Sequence, residues 1–222
     1  ALKYIALLAM TADHIAVICR PVPGFRTFGD LAFPLFAFLL VEGFFHTRDR
    51  RCYGRRLLLA AAVSEIPYDL AFSGRWMDAQ HQNVCLTFFL ALVAMELLER
   101  YGNGIWEKLV LTAVFCTLTE AAGADGGAWG MGLVLAFYFC VIGNSGTNVP
   151  RYILFHEKTA GVFMKMIAAV LIGAFAWQEP LWVLALTAVC LLLYDGYRGR
   201  SRFRSFFYIY YPAHLLVLYF LS

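Results

Sequence analysis

Four apolar stretches of this 222-residue chain carry groups able to take up, hold or release protons. Asp13 and His14 sit together in LKYIALLAMTADHIAVICR. Glu42 and His46 stand four apart in VEGFFH, and arginines 48, 50, 51, 55 and 56 follow at once. Glu65 and Asp69 flank Pro67 in SEIPYDLAF, Gln82 and Asn83 follow in HQNV, and YIYYPAHLL sets Tyr210 four residues before His214 around Pro212. Imidazole, with an ordinary pKa near 6.5, is the side chain poised to exchange a proton at neutral pH, and a carboxylate beside it fixes its tautomer. Residues four apart share a helix face, so Glu42 pairs with His46 and Glu65 with Asp69. Adjacent residues point about 100° apart on a helix, so His14 is expected to find its carboxylate on another segment, Glu65 or Asp69 by depth. Plainer roles exist for each group. His214 suits an interhelical hydrogen bond, Glu42 with His46 a helix-stabilising pair, Glu65 with Asp69 the capping of a kinked helix end, and the arginines a topology signal.

These groups must be positioned by helices inside a bilayer. Hydrophobic residues make up 61% of the chain and charged residues 15%, whereas soluble domains are about half apolar and a quarter charged. Apolar runs recur from residue 2 to residue 221 without a polar block long enough for a separate soluble domain, so 1–222 reads as one all-α transmembrane unit. A spanning helix needs about 20 apolar residues. That measure places spans at 2–19, 29–46, 57–73, 84–100, 105–122, 128–143, 160–177, 180–194 and 205–221, about nine in all. The runs are continuous rather than alternating, and open sheet edges cannot be satisfied in lipid, so strands are not expected. The first run carries Asp13 and His14 and lacks a small-residue cleavage site, so it reads as the first helix rather than a signal sequence. The six cysteines are scattered without C-x-x-C spacing and suggest neither a disulfide framework nor a zinc site.

Orientation follows from the basic residues. Fifteen of the 18 Lys and Arg side chains fall on one side of this arrangement, and Arg20, Arg26 and Arg75 on the other, which places the N-terminus in the cytoplasm. Trp76, Trp106, Trp129, Trp177 and Trp182 fall at span ends, where an indole prefers the interface. An ionisable group near the bilayer centre costs roughly 2.5–3.5 kcal/mol, so those in the spans are expected to face a bundle interior or a wet cavity. GADGGAWGMG at 123–132 lacks the G-K-[ST] ending of a phosphate loop and reads as a tight turn with close helix packing.

The motifs TADHIAVI, LAFPLFAFLLVEGFFHTRDRRCYGRRLL, SEIPYDLAF, QNV and FFYIYYPAHLLVLYFL resemble, in that order, the TraX family, whose founding member is the F-pilin acetylase of conjugative plasmids. The likeness spans nearly the whole chain and is strongest over 1–98 and 203–221. It implies a multi-pass acetyltransferase of the inner (plasma) membrane. The acetyl group would pass from cytoplasmic acetyl-CoA to an unidentified amine or hydroxyl acceptor, a pilin N-terminus or a sugar-like molecule. On that resemblance His14 is the general base, oriented by Asp13, Glu65 or Asp69. Arg48, Arg51, Arg55 and Arg56 would hold the phosphates of coenzyme A, for which a guanidinium fork is suited. The pantetheine arm would then run past Glu42 and His46. Asn83, Tyr211 and His214 would contact the acceptor or the oxyanion, with Tyr210 as a further donor. Neither a resident metal nor a nucleic-acid partner is expected. Two rival classes use the same residues. One is an intramembrane hydrolase with a metal on His14, Glu42, His46 and His214, although no H-E-x-x-H occurs. The other is a solute or proton-coupled transporter, although no inverted repeat is visible.

Overall fold

The computed structural model describes residues 2–19, 24–142, 181–194 and 206–222. Helices occupy almost all of it: α1 Leu2–His14, followed by a π-helical turn Ile15–Cys19, α2 Phe25–Gly29, α3 Ala32–His46, α4 Arg50–Ser73, α5 Val84–Tyr101, α6 Ile105–Ala121, α7 Gly127–Ile142, α8 Leu181–Leu192 and α9 Phe206–Leu221. Among the described residues there is no β-strand, and an isolated bridge pairs Gln82 with Ala124. The expected span 160–177 lies outside the described residues, as do Arg151, Lys158, Lys165, Trp177 and the arginines at 198–204.

Two helical runs, Leu2–Cys19 and Phe25–His46, are long and apolar enough to cross a membrane, and α7 and α9 are apolar but shorter. Large apolar side chains cover much of the outside: Leu8, Leu59, Val63, Trp106, Val110, Ile209 and Phe220 are exposed. The buried polar residues include His14, Ser64, Asp69, Asn83 and His214. Polar groups inside and apolar groups outside is the distribution a lipid solvent favours. Trp76, Trp106, Trp129 and Trp182 are all exposed, as interfacial anchors would be. The core gathers Leu31, Leu35, Val41 and Phe44 of α2–α3 against Met95 of α5 and Met131, Leu135 and Tyr138 of α7. α9 packs most extensively on α4, and α1 lies against α2 and α3.

One helix boundary differs from the expected one for a local reason. The expected span 57–73 starts seven residues early because Asp49 caps α4, its carboxylate accepting from the Cys52 N–H at 2.9 Å. An N-cap carboxylate satisfies an otherwise orphaned amide of the first turn. Arginines 50, 51, 55 and 56 therefore ride on the first two turns of α4 instead of lying in a loop. Pro67 lies inside α4, which runs on to Ser73, as Pro212 lies inside α9. The glycine-rich segment is the tight turn expected, with Gly123, Gly126 and Gly127 at positive φ. It is tied to the 74–83 loop by Gln82 N–H to Gly123 O at 2.9 Å and Asp125 N–H to Gln82 O at 2.8 Å, which places both connections at one end of the bundle.

Gly29 is what lets α2 lie against α1. A Cβ there would stand 2.8 Å from Asp13 Cα, a clash with backbone that no rotamer relieves. Gly29→Ala is therefore expected to cost about 1–3 kcal/mol, the usual range for overpacking. Thermal unfolding in detergent measures it, and an unchanged midpoint would mean that α2 can move off α1 freely.

Candidate functional site

His14 ends α1 at the point where the helix widens into its π turn, a local irregularity that recurs at functional sites. Its Nδ1 lies 2.6 Å from Nε2 of His214 on α9, and both rings are buried. The ring planes are 7° apart with centroids 4.9 Å apart. Ring nitrogens at 2.6 Å are too close for one face lying over another, so the imidazoles meet edge to edge in a common plane. His214 Nδ1 is 2.9 Å from the Tyr210 carbonyl. Phe72 meets His14 edge-on at 5.4 Å, and the Tyr211 ring stands 6.2 Å from His14 and 5.6 Å from His214. One turn away, Thr11 donates to the Leu7 carbonyl at 2.8 Å and so accepts from the Tyr210 hydroxyl at 2.9 Å.

The carboxylates expected beside His14 are engaged elsewhere. Glu65 Oε2 accepts from the Asn83 side chain, and Asp69 Oδ2 accepts from the Asp78 N–H at 2.8 Å. Asp78 in turn receives the Gln80 N–H and the Ser73 hydroxyl, which together with His81 hold its carboxyl below the usual carboxylate range. Among the described residues, Glu65 Oε1 and Asp69 Oδ1 are buried without a hydrogen-bond partner. Asp13 is half-buried with its Cβ against Gly29 of α2. The expected carboxylate–imidazole pair is thus an imidazole–imidazole pair.

Asn83 does not suit the role of oxyanion donor. Its amide donates to the Ala61 carbonyl at 2.8 Å and to Glu65, and its Oδ1 caps α5 by accepting from Cys85 N–H at 3.0 Å. Both donor hydrogens are in use. Asn83→Ala would strip a half-buried carboxylate and a buried carbonyl of their donor and remove the cap. It is expected to cost about 1–3 kcal/mol of stability with turnover per folded molecule retained. A stable Asn83→Ala protein that had lost turnover would contradict this assignment. The Tyr211 hydroxyl, by contrast, is buried and has no partner among the described residues.

A cavity of about 590 Å³ opens between α1, α3, α4, α5 and α9. Lys3, Arg48 and Arg56 line it at the end where α1 and α4 begin, Glu42 and His46 line its α3 wall, and Cys85 and Tyr211 line its far reach. Glu42 and His46 share that wall without bonding through the carboxylate: His46 Nδ1 donates to the Glu42 carbonyl at 2.9 Å, and the Glu42 carboxylate accepts from Tyr194. Arg51 and Arg55 are exposed and outside the lining. Arg50 is spoken for, bridging Glu96 at 3.3 Å and Glu99 while its guanidinium lies 3.8 Å over the Phe44 ring. Sequence reasoning missed Tyr53 and Tyr194, because a tyrosine's type and position carry no signal of what it faces. Among the described residues, no group of three or more His, Cys, Asp or Glu side chains is placed to hold a metal ion.

Comparison with known proteins bears on what this geometry serves. The family model described as TraX protein matches residues 1–222. The chain is 29% identical, over 233 aligned positions, to a protein of Dichelobacter nodosus described as probable fimbrial assembly protein FimC, serogroup H1. The alignment covers 98% of this chain and 92% of that protein. No solved structure matches.

Proposed function

Because this chain belongs to the TraX family, we propose that it is a multi-pass acetyltransferase of the inner membrane, moving an acetyl group from cytoplasmic acetyl-CoA to an amine or hydroxyl acceptor. The observation that carries the proposal is the cavity, which joins a basic mouth at Lys3, Arg48 and Arg56 to Tyr211, the residue whose ring packs on both histidines. Acetyl transfer from a thioester needs a charged hold for the carrier's phosphates, a base for the acceptor proton and a donor for the developing oxyanion. Arg48 and Arg56 suit the first, His14 the second and the unpartnered Tyr211 hydroxyl the third.

The acceptor would enter from the end where α5 begins and lose its proton to His14 as it attacks the thioester carbonyl. The tetrahedral oxyanion would be met by Tyr211. Collapse would expel the coenzyme A sulfur, which takes the proton back from His14. Helices lie at eight of the nine expected spans, which supports a multi-pass arrangement, and the bias of Lys and Arg to one side favours an N-terminus inside. The likeness to a fimbrial assembly protein favours a fimbrial or pilus subunit as acceptor over a sugar.

The test is to incubate the purified protein in nanodiscs with radiolabelled acetyl-CoA and a fimbrial subunit. Thiol release and label on the subunit are expected together. No release above a protein-free control, with acetyl-CoA shown to bind, would defeat the proposal.

A further inference from the structure

We infer that His214 is a positioning residue that sets the tautomer of His14, an inference that rests on reading His14 as the base. Hydrogen-bond polarity carries the argument. The Tyr210 carbonyl can only accept, so the His214 Nδ1 facing it at 2.9 Å carries a proton. A neutral His214 then has a bare Nε2, which can only accept from the His14 Nδ1 at 2.6 Å. That fixes the His14 proton on Nδ1 and leaves Nε2 as the lone pair that takes the acceptor's proton.

The opposite polarity requires His214 to hold both protons as a cation. Its surroundings are the rings of His14, Tyr210 and Tyr211, and among the described residues no carboxylate forms an ion pair with either imidazole. A buried cation with no counter-charge is disfavoured. The neutral chain, His14 to His214 to the Tyr210 carbonyl, is satisfied at every link. It performs with an imidazole the orienting task that a buried carboxylate performs in a Ser-His-Asp triad. The Tyr210 ring lies 10° from parallel to His214 at 5.1 Å, and its hydroxyl is tied to Thr11 on α1, so the orienting residue is held from both helices.

The experiment is long-range proton–nitrogen NMR on the full chain carrying 15N-histidine, with His14→Gln and His214→Leu used to assign the two rings among the five histidines. His14 is expected to show a protonated Nδ1 and a bare Nε2. In His214→Leu that pattern is lost, and turnover falls about 10²-fold or more, within the range for positioned acid–base catalysis, while the KM for acetyl-CoA stays within about twofold. His214→Gln, whose carbonyl oxygen can accept from Nδ1–H, restores the tautomer and most of the turnover. A wild-type His14 protonated on Nε2, or a His214→Leu protein with unchanged tautomer and turnover, would overturn the inference. Should His214→Leu fail to insert, the wild-type spectrum alone decides. A chain that transfers no acetyl group would defeat the proposed function, and the tautomer measurement would still judge the pairing.

Discussion

Replacing His14 with Gln is expected to abolish acetyl transfer, lowering turnover by about 10²–10⁴-fold, in a protein that still inserts and still binds acetyl-CoA. The affinity is expected to survive because the cavity wall contains Lys3, Arg48, Arg56, Glu42, His46 and Tyr211 but not His14. The imidazole lies outside that lining, its ring 6.2 Å from the ring of Tyr211. Some stability should be lost as well, since Gln at position 14 must still meet the Nε2 of His214 in a buried site. Asp69→Asn separates this role from that of the carboxylates. Asp69 Oδ2 is bound to the Asp78 N–H, so its substitution is expected to loosen the 74–83 connection rather than to imitate the histidine change. Turnover close to normal in a folded His14→Gln protein would remove the assignment and transfer it to His46, the histidine that does line the cavity.

Much of the helical framework was legible in the sequence because hydrophobic runs bounded by turn residues leave little freedom in lipid. The expected 84–100, 105–122, 180–194 and 205–221 agree with α5, α6, α8 and α9 to within two residues at either end. Where a boundary went astray, the cause was a capping residue. Asp49 carries the N-cap chemistry that starts α4 at Arg50, and its signal was masked by the arginines around it. Asn83 stands before an apolar run in the same way, and it caps α5 while its amide clamps Ala61 and Glu65. The site was legible as residue types and opaque as partnerships. His14 and His214 are 200 positions apart, and the pattern of each helix gives only its own face, not the rotation that brings two faces together. Glu65 and Asp69 were reasonable partners by depth, yet each is drawn to the connection that follows α4 by an amide nearer in sequence.

The arginine cluster supplies the second large effect, because the fold divides what the sequence presents as one group. Arg48 and Arg56 line the cavity, whereas Arg51 and Arg55 point to the outside and Arg50 is tied to Glu96 and Glu99. A hydrogen bond to a charged group is worth about 1.5–3 kcal/mol, so removing two from the phosphates of a bound carrier should be felt strongly. The Arg48→Gln, Arg56→Gln double variant is expected to raise the Kd for acetyl-CoA by about 10²-fold. The affinity of the unaltered protein should itself weaken with salt, as electrostatic capture does. Arg51→Gln with Arg55→Gln should leave that affinity within about twofold, a difference too small for a lost charge-assisted bond. Equilibrium dialysis with labelled acetyl-CoA, alongside cysteine labelling of the 47–49 connection to report orientation, separates the possibilities. Equal weakening by both pairs would mean that the cluster acts as a diffuse positive field rather than through the two arginines at the mouth. Inverted orientation with unchanged affinity would reduce all of them to a topology signal.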